Sequence, residues 1–184
     1  MTPQWATDGS RVVALVIVAI AAFTDARKEI IPNWLTLPAI VVAPFFWLFA
    51  DFPWGGARSL LVLLLCGGVL WLLFRLRACA GGDVKLFAAL GGVLGGAYGG
   101  LALGFEALFF TLIAASVYSL IRLAWEGKLL RTLANAFYLP LNPVLPKKWR
   151  REMSRELMSE VRLGVPALVG TSVAVLLRYQ AMWM

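Results

Sequence analysis

The sequence contains no histidine. That absence removes the Ser-His-Asp triad, the Cys-His pair and every imidazole-based metal site. Cysteine is nearly absent too. Cys66 and Cys79 are the only two, no C-x-x-C occurs, and neither a zinc module nor a disulfide is expected. Cys66 falls inside an apolar run and reads as packing. Charge is also scarce: 15% of residues are charged and 61% are hydrophobic, against about 25% and about 45–50% in a soluble domain. With a mean hydropathy of +0.81, the chain is suited to a bilayer. Its net charge of +7 belongs to the loops of a membrane protein and does not call for a nucleic-acid partner. The chemistry left to it rests on carboxylates, hydroxyls, Lys and Arg, with no metal or cofactor expected.

The apolar runs predict an all-α polytopic fold with about six spans, near residues 11–24, 34–50, 59–76, 84–98, 101–122 and 162–179. A span needs about 20 residues, so the first and fourth are short. The first lacks a basic leading cluster, and DARKE stands where a signal peptide would have small residues, so it reads as a helix. Fourteen of the seventeen Lys and Arg residues fall on one side of this layout: Arg27 and Lys28, then Arg75, Arg77 and Lys85, then nine from Arg122 to Arg162. Arg11, Arg58 and Arg178 fall on the other. The positive-inside rule then places both termini outside. The loops at 25–33, 75–85 and 123–161 become cytoplasmic, in a single membrane-embedded domain over 1–184. In the basic loop, residues 128–139 mix cationic and apolar side chains and suit the headgroup plane. Pro140, Pro143 and Pro146 follow. Glu152, Glu156 and Glu160, with Arg151 and Arg155 alongside, read as a solvated or membrane-surface helix. Glycines at 91, 95 and 99, and at 92, 96, 100 and 104, recur every four residues, which permits close helix packing. A thin element of this kind beside Asp83 would also let an extended substrate approach.

Two acids stand out, in FTDARKEIIPNWLT at 23–36 and AGGDVKLF at 80–87. Taken alone, Asp83 reads as the N-cap of the helix that follows it, and Asp25 as a partner for Arg27 or Lys28. Taken together, both sit on the same side at helix mouths. Carboxylates about 4 Å apart in a partly dry site repel by about 4 kcal/mol at an effective dielectric near 20. Such a pair holds one proton between them. The ionised member can take a proton from water while the protonated member hydrogen-bonds a peptide carbonyl. This is aspartyl-protease chemistry. Gly81 and Gly82 would let a substrate backbone come close.

These paired motifs, Asp25 to Ile31-Pro32-Asn33 and GGDVKL at 81–86, resemble the type IV prepilin peptidases, membrane aspartyl proteases of the GxGD class. The short length, without a cytoplasmic CxxC insert, resembles the small branch associated with tight-adherence pili. The resemblance implies that Asp25 and Asp83 are the catalytic pair. It implies a prepilin or pseudopilin substrate, membrane lipid as the setting, and a multi-pass protein of the bacterial inner membrane. The active site would face the cytoplasm and cut the short basic leader just before the pilin's hydrophobic helix. Larger members also methylate the new N-terminus; without their additional N-terminal domain, methylation is not expected here. The motif departs from the class at one place: Ala80 stands where the first glycine belongs, which suits a position needing only smallness and not one needing positive φ. Lys85 is carried with the motif or anchors the interface, and Pro32 and Asn33 shape the turn into the second span.

Glu106 lies inside the fifth apolar run, nearer the outer side, and reads as structural. Two other classes fit an apolar chain with buried acids: a transporter, and a non-catalytic scaffold of a pilus or secretion machine. A transporter would place its carboxylates at the midplane, unlike these.

Overall fold

The computed structural model of the chain describes residues 2–76, 79–125, 127 and 163–180. Most of the basic loop expected at 123–161 lies outside the described residues. Six helices follow one another: α1 (Gln4–Lys28), α2 (Asn33–Ala50), α3 (Trp54–Arg75), α4 (Gly81–Gly95), α5 (Gly100–Trp125) and α6 (Gly164–Gln180). No strand occurs among the described residues. By length and composition α1, α2, α3 and α5 can cross a membrane, whereas α4 and α6 have 15 and 17 residues. α1 begins at Gln4 rather than near residue 11, because Asp8 pairs with Arg11 at 3.2 Å one turn later and neutralises the polar start.

The chain punctuates these helices with local chemistry. α1 ends where Glu29 turns left-handed (φ 59) and donates its N–H to the Asp25 carbonyl at 3.0 Å. Pro32, extended at φ −73 and ψ 136, caps α2, since a ring without an N–H costs nothing at a helix start. Gly99, at φ +76, makes the turn from α4 to α5 that a side chain would resist.

α4 is the axis of the bundle. α2 and α3 pack heavily on it, α1 and α5 also touch it, and α6 closes the other side against α5 and α1. Ten of its fifteen residues are buried. The four-residue glycine spacing splits into two faces. A Cβ on Gly91 would come within 2.7 Å of the Val62 carbonyl, and one on Gly95 within 2.5 Å of Val62 Cβ, so α3 lies against bare backbone. Gly92 faces Leu63 and Ala43, and Gly96 lies flush under the Trp47 indole. Trp47 is fully buried and donates its Nε1–H to the Val93 carbonyl at 2.8 Å. These glycines are therefore filled by neighbours; they do not leave a thin element open to substrate.

The outside of the bundle is apolar. Phe49, Leu64, Phe109 and Leu176 are among many large exposed hydrophobic side chains, as a lipid-facing surface requires. The far end, where α1 begins and α6 ends, is neutralised. Asp8 pairs with Arg11, Asp51 with Arg58, and Glu106 with Arg178. The Glu106–Arg178 pair is two-pronged, at 3.0 and 2.8 Å, and ties α5 to α6.

The glycine faces yield a direct prediction. Gly96→Ala would drive a methyl into the Trp47 ring and should destabilise the protein by about 1–3 kcal/mol, read as thermal unfolding in detergent. Gly68→Ala, where a Cβ meets nothing within 4 Å, should leave stability unchanged or raise it by about 0.5–1 kcal/mol.

Candidate active site

The helix directions bring the end of α1 and the beginnings of α2, α4 and α6 to one end of the bundle. Asp25 lies in the last turns of α1 and Asp83 in the first turn of α4, 6% and 2% exposed. A buried carboxylate needs hydrogen-bond donors, and each finds one at a helix start. Asp83 Oδ2 accepts the Ala80 N–H at 3.0 Å. Asp83 is therefore the third residue of α4; the N-cap position expected for it belongs to Ala80. Alanine has no side-chain acceptor to return the bond, so only the acid's half of a capping box can form. Ala80 is extended, at φ −84 and ψ 157, an ordinary alanine conformation. The departure from the class motif thus carries no backbone strain.

Asp25 reaches across the bundle. Its Oδ2 accepts the buried N–H of Gly164, 139 positions along the chain, at 3.1 Å. Gly164 opens α6, so its amide is one of the donors that a helix start leaves free and carries the positive end of the helix dipole. A Cβ there would stand 2.5 Å from Asp25 Oδ2 and 2.6 Å from its Cβ. Only glycine allows this approach. Among the described residues Asp25 forms no ion pair with Arg27 or Lys28; Arg27 instead stacks on the Phe23 ring at 4.3 Å.

The two motifs are clasped together. A Cβ on Gly82 would lie 3.2 Å from Ile31 Cβ, so Ile31 of the IPN turn rests on the bare backbone before Asp83. Lys85 Nζ donates to Asn33 Oδ1 at 2.9 Å, bridging α4 to α2. Lys85 is therefore held by the IPN turn. Pro32 caps α2, and Gly81 meets only Phe74, at an ordinary 3.7 Å. Buried Ala21, Ile31, Cys79, Leu86 and Leu163 belong to the one apolar core that surrounds this end. Both cysteines are buried thiols outside any disulfide, and Cys79 Sγ lies 3.4 Å from the Leu70 carbonyl. Among the described residues no three acidic or cysteine side chains gather closely enough to hold a metal ion.

Gly164 escaped the sequence reading. Its local signal is a helix start, with Pro166 tolerated in the first turn, but nothing local points to Asp25. Glu106, by contrast, serves the far end, as expected of a structural acid.

The model of the type IV leader peptidase family matches residues 12–123, more than half of the chain. That stretch contains both acids, the IPN turn and Lys85, and ends before Gly164. Neither the curated proteins nor the solved structures offer a match.

Gly164→Ala should destabilise the protein by about 1–3 kcal/mol. Because Asp25 is the atom group in the way, adding Asp25→Gly should recover about 1 kcal/mol relative to additivity. Thermal unfolding of the four-member cycle in detergent checks this. Full additivity would mean that the amide and the carboxylate do not meet.

Proposed function

This chain belongs to the type IV leader peptidase family, and we propose that Asp25 and Asp83 are its catalytic pair. The substrate is a type IV prepilin, cut between its short basic leader and its hydrophobic helix at the cytoplasmic face of the inner membrane. The whole chain acts as one membrane-embedded domain with six spans and both termini outside. The observation carrying this reading is the clasp: two buried acids lie in motifs that Ile31–Gly82 and Asn33–Lys85 join at one end of the bundle.

The reaction needs no group beyond the chain and water. One carboxylate, ionised, takes a proton from a water held between the acids. The water oxygen attacks the scissile carbonyl carbon. The second carboxyl, protonated, donates its hydrogen to the carbonyl oxygen as the tetrahedral intermediate forms. Collapse breaks the C–N bond: the proton gained by the first acid passes to the leaving amine, and a hydroxyl of the intermediate returns a proton to the second acid, which restores the starting pair. The products are a free leader carboxylate and a new pilin N-terminus. The helix-start amides of Ala80 and Gly164 orient the two acids.

The exposed cations at this end, Arg27 and Lys28, sit where a basic leader also has to lie. Anionic headgroups between them remove the repulsion. Pseudopilins present the same junction of basic leader and apolar helix and are the second substrate class. A transporter or scaffold gains nothing from the clasp, and the family membership favours the peptidase.

Asp25→Asn and Asp83→Asn retain an acceptor for the Gly164 and Ala80 amides and should fold. Each should lower processing of a co-expressed prepilin by at least about a hundredfold, read by mass spectrometry of the pilin N-terminus. Wild-type-like maturation in either variant would refute the assignment.

A further inference from the structure

α1 and α2 are consecutive, yet they scarcely touch. Between them opens an apolar cavity of about 370 Å³, floored by Val93 of α4. Ile17 and Ala43 line its depth, Val13 and Val42 stand exposed at its sides, and Gly9 leaves its wall bare. Its far end is closed where the Trp5 and Phe46 rings meet edge to face, centroids 6.2 Å apart. Its floor is fixed, because Trp47 is bonded to the Val93 carbonyl and seated on Gly96.

We infer that this groove receives the hydrophobic helix of the prepilin while the bond preceding that helix lies at Asp25 and Asp83. The inference rests on the peptidase reading above. Three structural elements bound the groove, and each carries part of the acid site at the same end: α1 carries Asp25, α2 begins at the IPN turn, and α4 begins beside Asp83. From Trp5 to Ile17 the groove follows α1 for about 18 Å, and Asp25 lies about 12 Å further on. The total approximates the hydrocarbon thickness of about 30 Å. A chain cut immediately before an apolar helix leaves the acids directly into the bilayer, along these same three helices. The groove supplies the wide apolar interface that a short leader cannot, and it holds the scissile bond in register.

The test uses the full chain in membranes with a co-expressed prepilin. A benzophenone amino acid is placed at Val13 or Val42, and at Ile113 on exposed α5 as control, in an Asp83→Asn background that leaves the substrate uncut. Illumination should give prepilin adducts at the groove sites at least about tenfold above Ile113. Equal yields at all three sites overturn the inference. So do groove adducts found only with lipid, with a second copy, or with residues 128–139 of the same chain. In the active protein, Gly9→Leu adds a side chain to the groove wall at a position where a Cβ meets nothing within 4 Å. It should raise KM for the prepilin about tenfold with kcat unchanged, and leave cleavage of a soluble peptide lacking the helix untouched. An unchanged KM overturns the groove while leaving the peptidase reading intact. Failure of the wild-type chain to cut any prepilin removes that reading, and this inference with it.

Discussion

A carboxylate buried away from water must be given donors, and this protein gives them by aiming helix starts at its acids. The bond from Gly164 to Asp25 is the more demanding of the two. It spans most of the sequence, requires a residue with no side chain, and sets where α6 meets α1. The bond from Ala80 to Asp83 is local and needs only an extended residue before α4. Both hold a carboxylate by one oxygen. In lipid, where a backbone amide has few alternatives, such bonds fix position more firmly than they would in water.

The rest of the bundle makes those starts coincide. α4 is stripped of side chains along two faces, so α3 lies against one and the Trp47 indole of α2 against the other. α4 is also short, with fifteen residues, and cannot fill the thickness of a bilayer by itself. Its neighbours must cover it, and their ends gather around its first turn. At the opposite end, each of Arg11, Arg58 and Arg178 has an acid partner. The other fourteen Lys and Arg residues of the sequence fall at the acid end and in the segment between α5 and α6. That is the asymmetry behind the proposed orientation.

Much of this was legible in the sequence. Six apolar runs became six helices, because length and composition govern them. The two motifs drew attention as a pair, and Ile31, Gly82, Asn33 and Lys85 now account for the pairing by direct contact. The errors were of register and of distance. Asp83 looked like an N-cap because aspartate favours that place, but Ala80 fills it and the acid acts from within the first turn, at the third helical position. The first span is expected from residue 11, where the apolar run begins, whereas α1 starts at Gln4 and carries Asp8 and Arg11 as a neutralised pair on the helix. Gly164 could not be found: a glycine before a valine and a proline signals a helix start, and no local pattern names a partner 139 positions away.

The account stands on the convergence of Asp25 and Asp83 at one water. The most direct measurement replaces both acids with cysteine, Asp25→Cys and Asp83→Cys, in a chain whose own cysteines are removed by Cys66→Ala and Cys79→Ala. Dibromobimane becomes fluorescent only when both of its arms alkylate thiols. The account predicts one fluorescent bridge per chain in the double variant and none in either single variant. Two thiols that each react with maleimide yet form no bridge would contradict it.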